Sequence, residues 1–374
     1  MGGHISFIHC KFGILAVALS ACTRAGPRTA EVALGQPVAT LSAPQRAAFA
    51  RGLVAFTHKY TTQDGLGPHF NAEACSDCRD LPTTGGHGRP EIKARVLFDA
   101  ARGFVGVLPT KAVSGHAVLT VPAGAVVDFR RGPPLFGLGL LEQVTDAEMA
   151  ANCDPTDRDG DGVRGHTNPN TSYDGRPGKF GLQAHTSSIR DFIGNALAGE
   201  LGVTNDVNRD PDKRRDADGV PDPEASPQLV DDLTAFVAGL APPPRAGAPD
   251  GADADELAAR RAQGQVSFAA IGCAVCHKPD PGAQALGAVT DLCVHSLGPA
   301  FDSKIVDFSA QGDQWRTAPL WGLRFRKAYF HDARTADLDA AVRMHGGEAA
   351  AAAGRYAALT GEQRQSLRDF LDSL

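Results

Sequence analysis

The pentapeptide "CAVCH", Cys273 to His277, constrains this chain more than any other feature. Two cysteines two residues apart, followed at once by histidine, form the attachment pattern of c-type haem. The spacing follows from the chemistry: two thiols add to the two vinyl groups of the porphyrin. The adjacent histidine then reaches the iron from the same short helical turn.

The surroundings of that motif occur twice. Gly264, Val266 and Phe268 of "GQVSF" precede Cys273 and Cys276. Gly52, Val54 and Phe56 of "GLVAF" precede a second pair, Cys75 and Cys78, on a helix expected to start after an N-cap at Ser42. "RTAPLWGL", Arg316 to Leu323, follows one pair, and "RGPPLFGL", Arg131 to Leu138, follows the other. Each half closes on an apolar stripe at i, i+3, i+4, i+7: Leu233, Phe236, Val237 and Leu240, then Leu367, Phe370, Leu371 and Leu374. Four features in one order, twice, argue for duplication of a unit that looks like a cytochrome c domain. The expected fold is therefore mainly α, with two tandem cytochrome c-like domains at 41–240 and 257–374. "APPPRAGAPDGADADE", 241–256, reads as the linker. The first copy is larger, with an insert between Phe56 and Cys75 and a Gly/Asp-rich excursion from about Val144 to Ala225.

The N-terminus carries an address. Lys11 precedes an apolar run, Phe12 to Leu19, and small residues lead to Cys22 in "LSAC". This predicts a signal peptide over 1–21 and a tether over 22–40. The version resembles a bacterial lipobox, in which Cys22 receives the lipid; Thr23 would direct such a lipoprotein to the outer membrane. A plain signal peptide with an incidental cysteine is the competing reading. The expected location is the periplasm, with membrane attachment only through the lipid. With a net charge of −6 the chain shows no footprint for nucleic acid. Of eight cysteines, Cys153 and Cys293 remain outside the leader and the two CxxC pairs. An exported chain permits them to pair, and sequence leaves that open.

"GLGPHFNAEAC", "PPLFGLGLLE", "DRDGDGVRG", "VTDLCVHSLGP", "WRTAPLWGL", "YFHDARTADLDAAV" and "HGGEA" together resemble the di-haem oxidoreductase family, often labelled thiol oxidoreductase. That family is related to the di-haem cytochrome c peroxidases, and the resemblance runs from about Ser42 to the C-terminus. It implies that Cys273 and Cys276 hold a haem c with His277 as proximal ligand. The other axial ligand would be His345, with the neighbouring Met344 as the alternative. His295 and His331 would be hydrogen-bonded pocket residues. Arg316 would sit at a propionate, and Trp321 on the ring edge or simply in the core.

The first pair departs from the pattern, because Arg79 stands where the histidine belongs. Arginine has no lone pair to offer a metal. Three readings stay open: a second haem held by Cys75 and Cys78 and ligated from elsewhere, by His87 or His69; a disulfide; or a redox-active pair. "DRDGDGV", Asp157 to Val163, imitates the first half of a calcium loop, though its twelfth position is Asn168, and a solvated Asp/Gly turn is the alternative.

The functional expectation is an exported c-type cytochrome passing electrons between periplasmic donor and acceptor proteins. It would be peroxidase-like if the first site holds haem, since that is where the relatives cleave peroxide. The alternative is a mono-haem electron carrier whose N-terminal domain is structural or serves docking.

Overall fold

The computed structural model describes residues 33–99, 104–171, 174–208, 216, 218–282 and 286–374. The leader, with Cys10 and the lipidation candidate Cys22, lies outside the described residues. In chain order the helices are α1 (Ala43–Thr57), α2 (Leu138–Glu142), α3 (Asp146–Asn152), α4 (Ile189–Ala196), α5 (Pro227–Gly239), α6 (Ala254–Ala270), α7 (Leu338–Arg343), α8 (Ala350–Ala357) and α9 (Gly361–Ser373). The strands are β1 (His69–Phe70), β2 (Ala94–Asp99), β3 (Phe104–Leu108), β4 (Lys111–Ala112), β5 (Val126–Arg130), β6 (Val294–Ser296) and β7 (Gln314–Arg316).

Helix α1 starts where the sequence marks it. The Ser42 hydroxyl accepts from the Gln45 amide, and the Gln45 side chain accepts from the Ser42 amide at 2.8 Å. Helix α1 packs on α5, and α6 packs on α9. Both crossings are pinned by a glycine. A Cβ on Gly52 would come 1.9 Å from the Asp232 carbonyl oxygen, and one on Gly264 would come 2.0 Å from that of Ser366. The Phe236 ring packs against Phe56 with centroids 4.8 Å apart, tilted, and that of Phe370 against Phe268 at 5.4 Å, edge-on. Gly137 donates to the Leu240 carbonyl at 3.0 Å, and Gly322 to that of Leu374 at 2.9 Å. The repeated sequence features thus make the same contacts in both halves.

Leu233, Phe236, Val237 and Leu240 are buried to within 1%, each contributing about 1.5–3 kcal/mol of apolar burial. The second stripe, Leu367, Phe370, Leu371 and Leu374, anchors a second cluster with Phe268, Tyr356 and Leu323. The segment after α5 is not loose. Pro242 and Pro243 lie against Gly137 and Gly322, and Arg261 donates to the carbonyls of Ala246 and Gly247. Residues 32–374 form one unit.

The expectation of a mainly helical chain is correct only in part, because strands lie between the helices, most of them in 94–130, outside both expected insertions. β3, β2 and β5 form an antiparallel sheet in that order, with Val96 opposite both Val107 and Asp128. β1 pairs with β4, and β6 with β7, where His295 lies opposite Trp315. β-branched residues in "ARVLFD", "FVGVL" and "VVDFR" favour this extended pairing. The 144–225 excursion supplies α4 to the first core, where it packs on α5, and also reaches the C-terminal half. Cys153, at the end of α3, is bonded to Cys293 with 5.8 Å between their Cα atoms. Asn168 is fully buried and donates to the carbonyls of Gln183 and Asp307. No helix among the described residues is long and apolar enough to cross a membrane.

Candidate functional site

Helix α6 ends at Ile271, and Gly272, at φ 90°, turns the chain into a 3-10 turn over Cys273–Val275. That left-handed conformation favours glycine. Cys273, Cys276 and His277 all line one cavity of about 460 Å³, walled by Phe268, Leu320, Trp321, Phe330 and Val342. Its volume is typical of cofactor sites, at roughly 300–1,000 Å³.

His345, at the end of α7, lines the same cavity. The Nδ1 of His277 lies 3.3 Å from the Val289 carbonyl, and that of His345 lies 2.8 Å from the Ala341 carbonyl. Tying Nδ1–H to a carbonyl fixes the tautomer and leaves Nε2 as the ligand atom. Burial pushes both imidazoles down, His277 to about 4 with the nearby His345 as the next cause, so both stay neutral at pH 7. Met344 is 37% exposed and is not on the cavity wall.

His295 has a different part. Its Nε2 lies 2.9 Å from Asp291 and its Nδ1 2.8 Å from Glu348. Burial opposes its charge, but Asp291, Cys276 and Glu348 together raise it to about 12, so it is an imidazolium. Glu348 lies three residues after His345, so this cation ties β6 to the turn beyond that ligand candidate. His331 stacks on Trp315 with 3.7 Å between centroids, and the Trp315 indole donates to the Phe301 carbonyl. Trp315 was not singled out in the sequence; its only signal is its place in "WRTAPLWGL". Trp321 is buried and packs on Gly137 within the first core cluster.

Arg316 lines the cavity, and Arg131 and Arg326 line it too. Among the described residues none of the three forms an ion pair with a carboxylate. Arg316 donates to the carbonyls of Gly181 and Thr317, Arg131 to that of Ala328, and Arg326 to that of Pro319. Nη1 of Arg131 and Nε of Arg326 are buried with no hydrogen-bond partner. Burial pushes Arg316 and Arg326 down to about 10, and neighbouring guanidinium groups add to it. Buried cations of this kind require anionic company. A haem, with an apolar ring and two propionates, matches the cavity wall, the paired cysteines, the two neutral histidines and these cations together. Arg326 left no signal beyond the basic run "LRFRK".

The first CxxC forms a corresponding 3-10 turn over Cys75–Cys78. The disulfide reading fails here, because both are free thiols. Cys75 packs against the first core cluster while Cys78 lines a separate cavity of about 1550 Å³, so the turn points them to different surroundings. Burial raises both thiols, Cys75 to about 12, which leaves little thiolate for redox chemistry at neutral pH. Arg79 lines this cavity, its guanidinium lying over Gly132, where a Cβ would come 1.0 Å from Nη1.

The histidines proposed to rescue a haem here lie elsewhere. His87 is 2% exposed, with Nε2 2.8 Å from the Phe325 carbonyl and Nδ1 3.0 Å from that of Gly88, and it is not on the wall. His69 lies 3.1 Å from the Ala117 carbonyl, also off the wall. Among the described residues the histidine on this wall is His185, 3.2 Å from Asp307.

Asp157, Asp159 and Asp161 bring carboxylate oxygens within 4.8 Å of one another. Those oxygens already accept backbone amides, Asp157 from Gly162 and Asp161 from Val163. Asn168 belongs to the buried network described above and does not complete the loop.

The chain thus holds two CxxC turns, each beside a glycine-pinned helix pair, and an apolar cavity lined by His277 and His345. Residues 119–374 match the family described as "Di-haem oxidoreductase, putative peroxidase". The chain belongs to that family of haem proteins. No curated protein matches it. Among solved structures, Kuenenia stuttgartiensis hydrazine synthase, pressurised with 20 bar xenon, matches at 13% identity and a TM-score of 0.43. That match covers 98% of this chain and 100% of the other, and a likeness so distant carries no argument about fold or function.

Proposed function

We propose that this chain is an exported c-type cytochrome with one haem, held by its C-terminal cytochrome c-like domain, and that it carries electrons. Cys273 and Cys276 would hold the porphyrin, and His277 and His345 the iron. Bound there, haem supplies a one-electron couple. The observation carrying this reading is the pair of neutral histidines, each fixed through Nδ1, on the wall that also bears the CxxC turn. Two imidazole ligands leave no open position and give a low-to-middling potential, which suits electron transfer. Arg316 and Arg326 would neutralise the propionates, and the His295 imidazolium would hold the turn beyond His345 in place.

The residues of the first cavity do not fit a ligated haem. Arginine stands in the ligand position, neither His87 nor His69 is on the wall, and the histidine that is, His185, lies 3.2 Å from Asp307. The peroxidase reading needs a second haem with an open position. The disulfide between Cys153 and Cys293 supports export to an oxidising compartment. The sequence "LSAC" supports a lipid anchor at Cys22 in the outer membrane; Cys22→Ser would then release the protein from the membrane fraction.

The test is a reduced-minus-oxidised spectrum of protein expressed with the haem-attachment machinery. A sharp low-spin c-type spectrum is expected, lost in Cys273→Ala/Cys276→Ala. A spectrum that survives that double substitution would refute the assignment.

A further inference from the structure

Four guanidinium groups, one buried and three half-buried, follow one another along the two cavities. Arg316 and Arg326 line the haem-sized cavity, Arg131 lines both cavities, and Arg79 lines the larger one. Each influences the next: Arg79 lowers Arg131, Arg131 lowers Arg326, and Arg326 lowers Arg316. Among the described residues no member forms an ion pair with a carboxylate, and the side-chain hydrogen bonds described for all four go to backbone carbonyls. Two propionates at one end would offset two charges and leave the Arg79 end with less than full compensation.

The acids on the larger cavity's wall meet that need only in part: Glu200 acts on Arg79 electrostatically, and Asp77 is engaged by Lys59. Asp80 is bound by Arg89 at 2.7 Å, Asp307 by His185 at 3.2 Å, and Glu200 accepts from Asn71 at 2.9 Å. Arg131 is 6% exposed, yet its Nη1 has no partner. The backbone keeps room for the pair. Gly132 has no side chain to displace the Arg79 guanidinium, and a Cβ on Gly88 would come 3.7 Å from Arg131 Cγ and 2.9 Å from the Cys78 carbonyl.

We propose that Arg79 and Arg131 form a binding site for a small oxyanion, a carboxylate or a phosphate, in the cavity that the first CxxC turn lines. Two guanidinium forks present paired N–H donors, the geometry that carboxylate and phosphate oxygens accept. The arginine that replaces the histidine thus changes what the cavity takes, from a metal to an anion. The inference rests on the one-haem reading in assigning Arg316 and Arg326 to propionates and in leaving the larger cavity without haem.

The experiment is calorimetric titration of the haem-loaded full chain with inorganic phosphate, and separately with succinate, at low ionic strength. Saturable binding of one anion per chain is expected, with the tighter probe identifying the class. Arg79→Gln should bind at least about tenfold more weakly, while Arg89→Gln, whose guanidinium is already engaged by Asp80, should bind as the wild type does. Folding of each variant is checked by its haem spectrum. No saturable binding of either anion, or equal binding by Arg79→Gln, overturns the proposal. Haem content, measured on the same samples, separates the two readings. One haem without anion binding sinks only this site, and a second haem in the larger cavity sinks both.

Discussion

His277 and His345 share one cavity, and each is held by Nδ1 to a backbone carbonyl, of Val289 and of Ala341. Neither carbonyl is conspicuous in the sequence, yet together they decide which imidazole nitrogen each histidine offers. The neighbouring Met344 faces solvent instead.

His345→Ala is therefore expected to convert the haem from low spin to high spin, and Met344→Ala to leave the spectrum unchanged. Electronic absorption and electron paramagnetic resonance of the oxidised protein read both. A spin change in Met344→Ala with none in His345→Ala would reverse the ligand assignment.

Arg326→Met removes a buried cation from the cavity wall. A cation near iron favours the reduced state, by about 1–2 kcal/mol at a separation of roughly 10 Å with an effective dielectric of about 20. Redox titration should show a lower midpoint potential in the variant. An unchanged or raised potential would place the guanidinium away from the haem.

His295 gives the stability a pH signature. Its folded value is raised to about 12 from an ordinary 6.5. Its contribution is thus complete below pH 6.5 and is lost as pH rises toward 12, with a slope of up to about 1.4 kcal/mol per unit. Denaturant unfolding of His295→Gln between pH 7 and 9 should show a flatter decline than the wild type, from a lower starting stability. Parallel curves would mean that the imidazolium is not formed.

Gly52→Ala and Gly264→Ala should each lower stability by about 1–3 kcal/mol, because the new methyl meets a backbone carbonyl in both helix pairs. Similar losses at the two positions, read by urea denaturation, follow from the matched geometry. A neutral effect at either one would break the equivalence of the two halves.

Breaking the Cys153–Cys293 link, by Cys153→Ser or by reduction, removes the closure of a loop spanning 140 residues of sequence. The expected loss is about 4–5 kcal/mol on chain-entropy grounds. Unfolding curves with and without reductant should then differ for the wild type and coincide for Cys153→Ser.

Local periodicity made the helix pairs legible. The stripes at 233–240 and 367–374, the Ser42 cap and the two glycine-phenylalanine helices are short-range signals, and each appears where expected. The CxxC turns were equally plain. The sheet of β2, β3 and β5 is not implied by the repeat, in which the stretch between the CxxC turn and the next shared motif is a loop, although its β-branched residues are visible. The arginine string was legible only at Arg316, which the family resemblance places at a propionate. Arg79 and Arg131 lie far from Arg316 and Arg326 in sequence, and only tertiary packing brings the four together. The same limit applies to His87, whose loop position beside the first CxxC suggested a ligand. Its ring instead bonds the carbonyl of Phe325, 238 residues away.

Haem count tests the account most directly. A pyridine haemochrome assay on matured protein of known concentration should give one haem per chain, attached through Cys273 and Cys276. Two haems per chain, with the second lost in Cys75→Ala/Cys78→Ala, would contradict it and restore a seat for peroxidase chemistry.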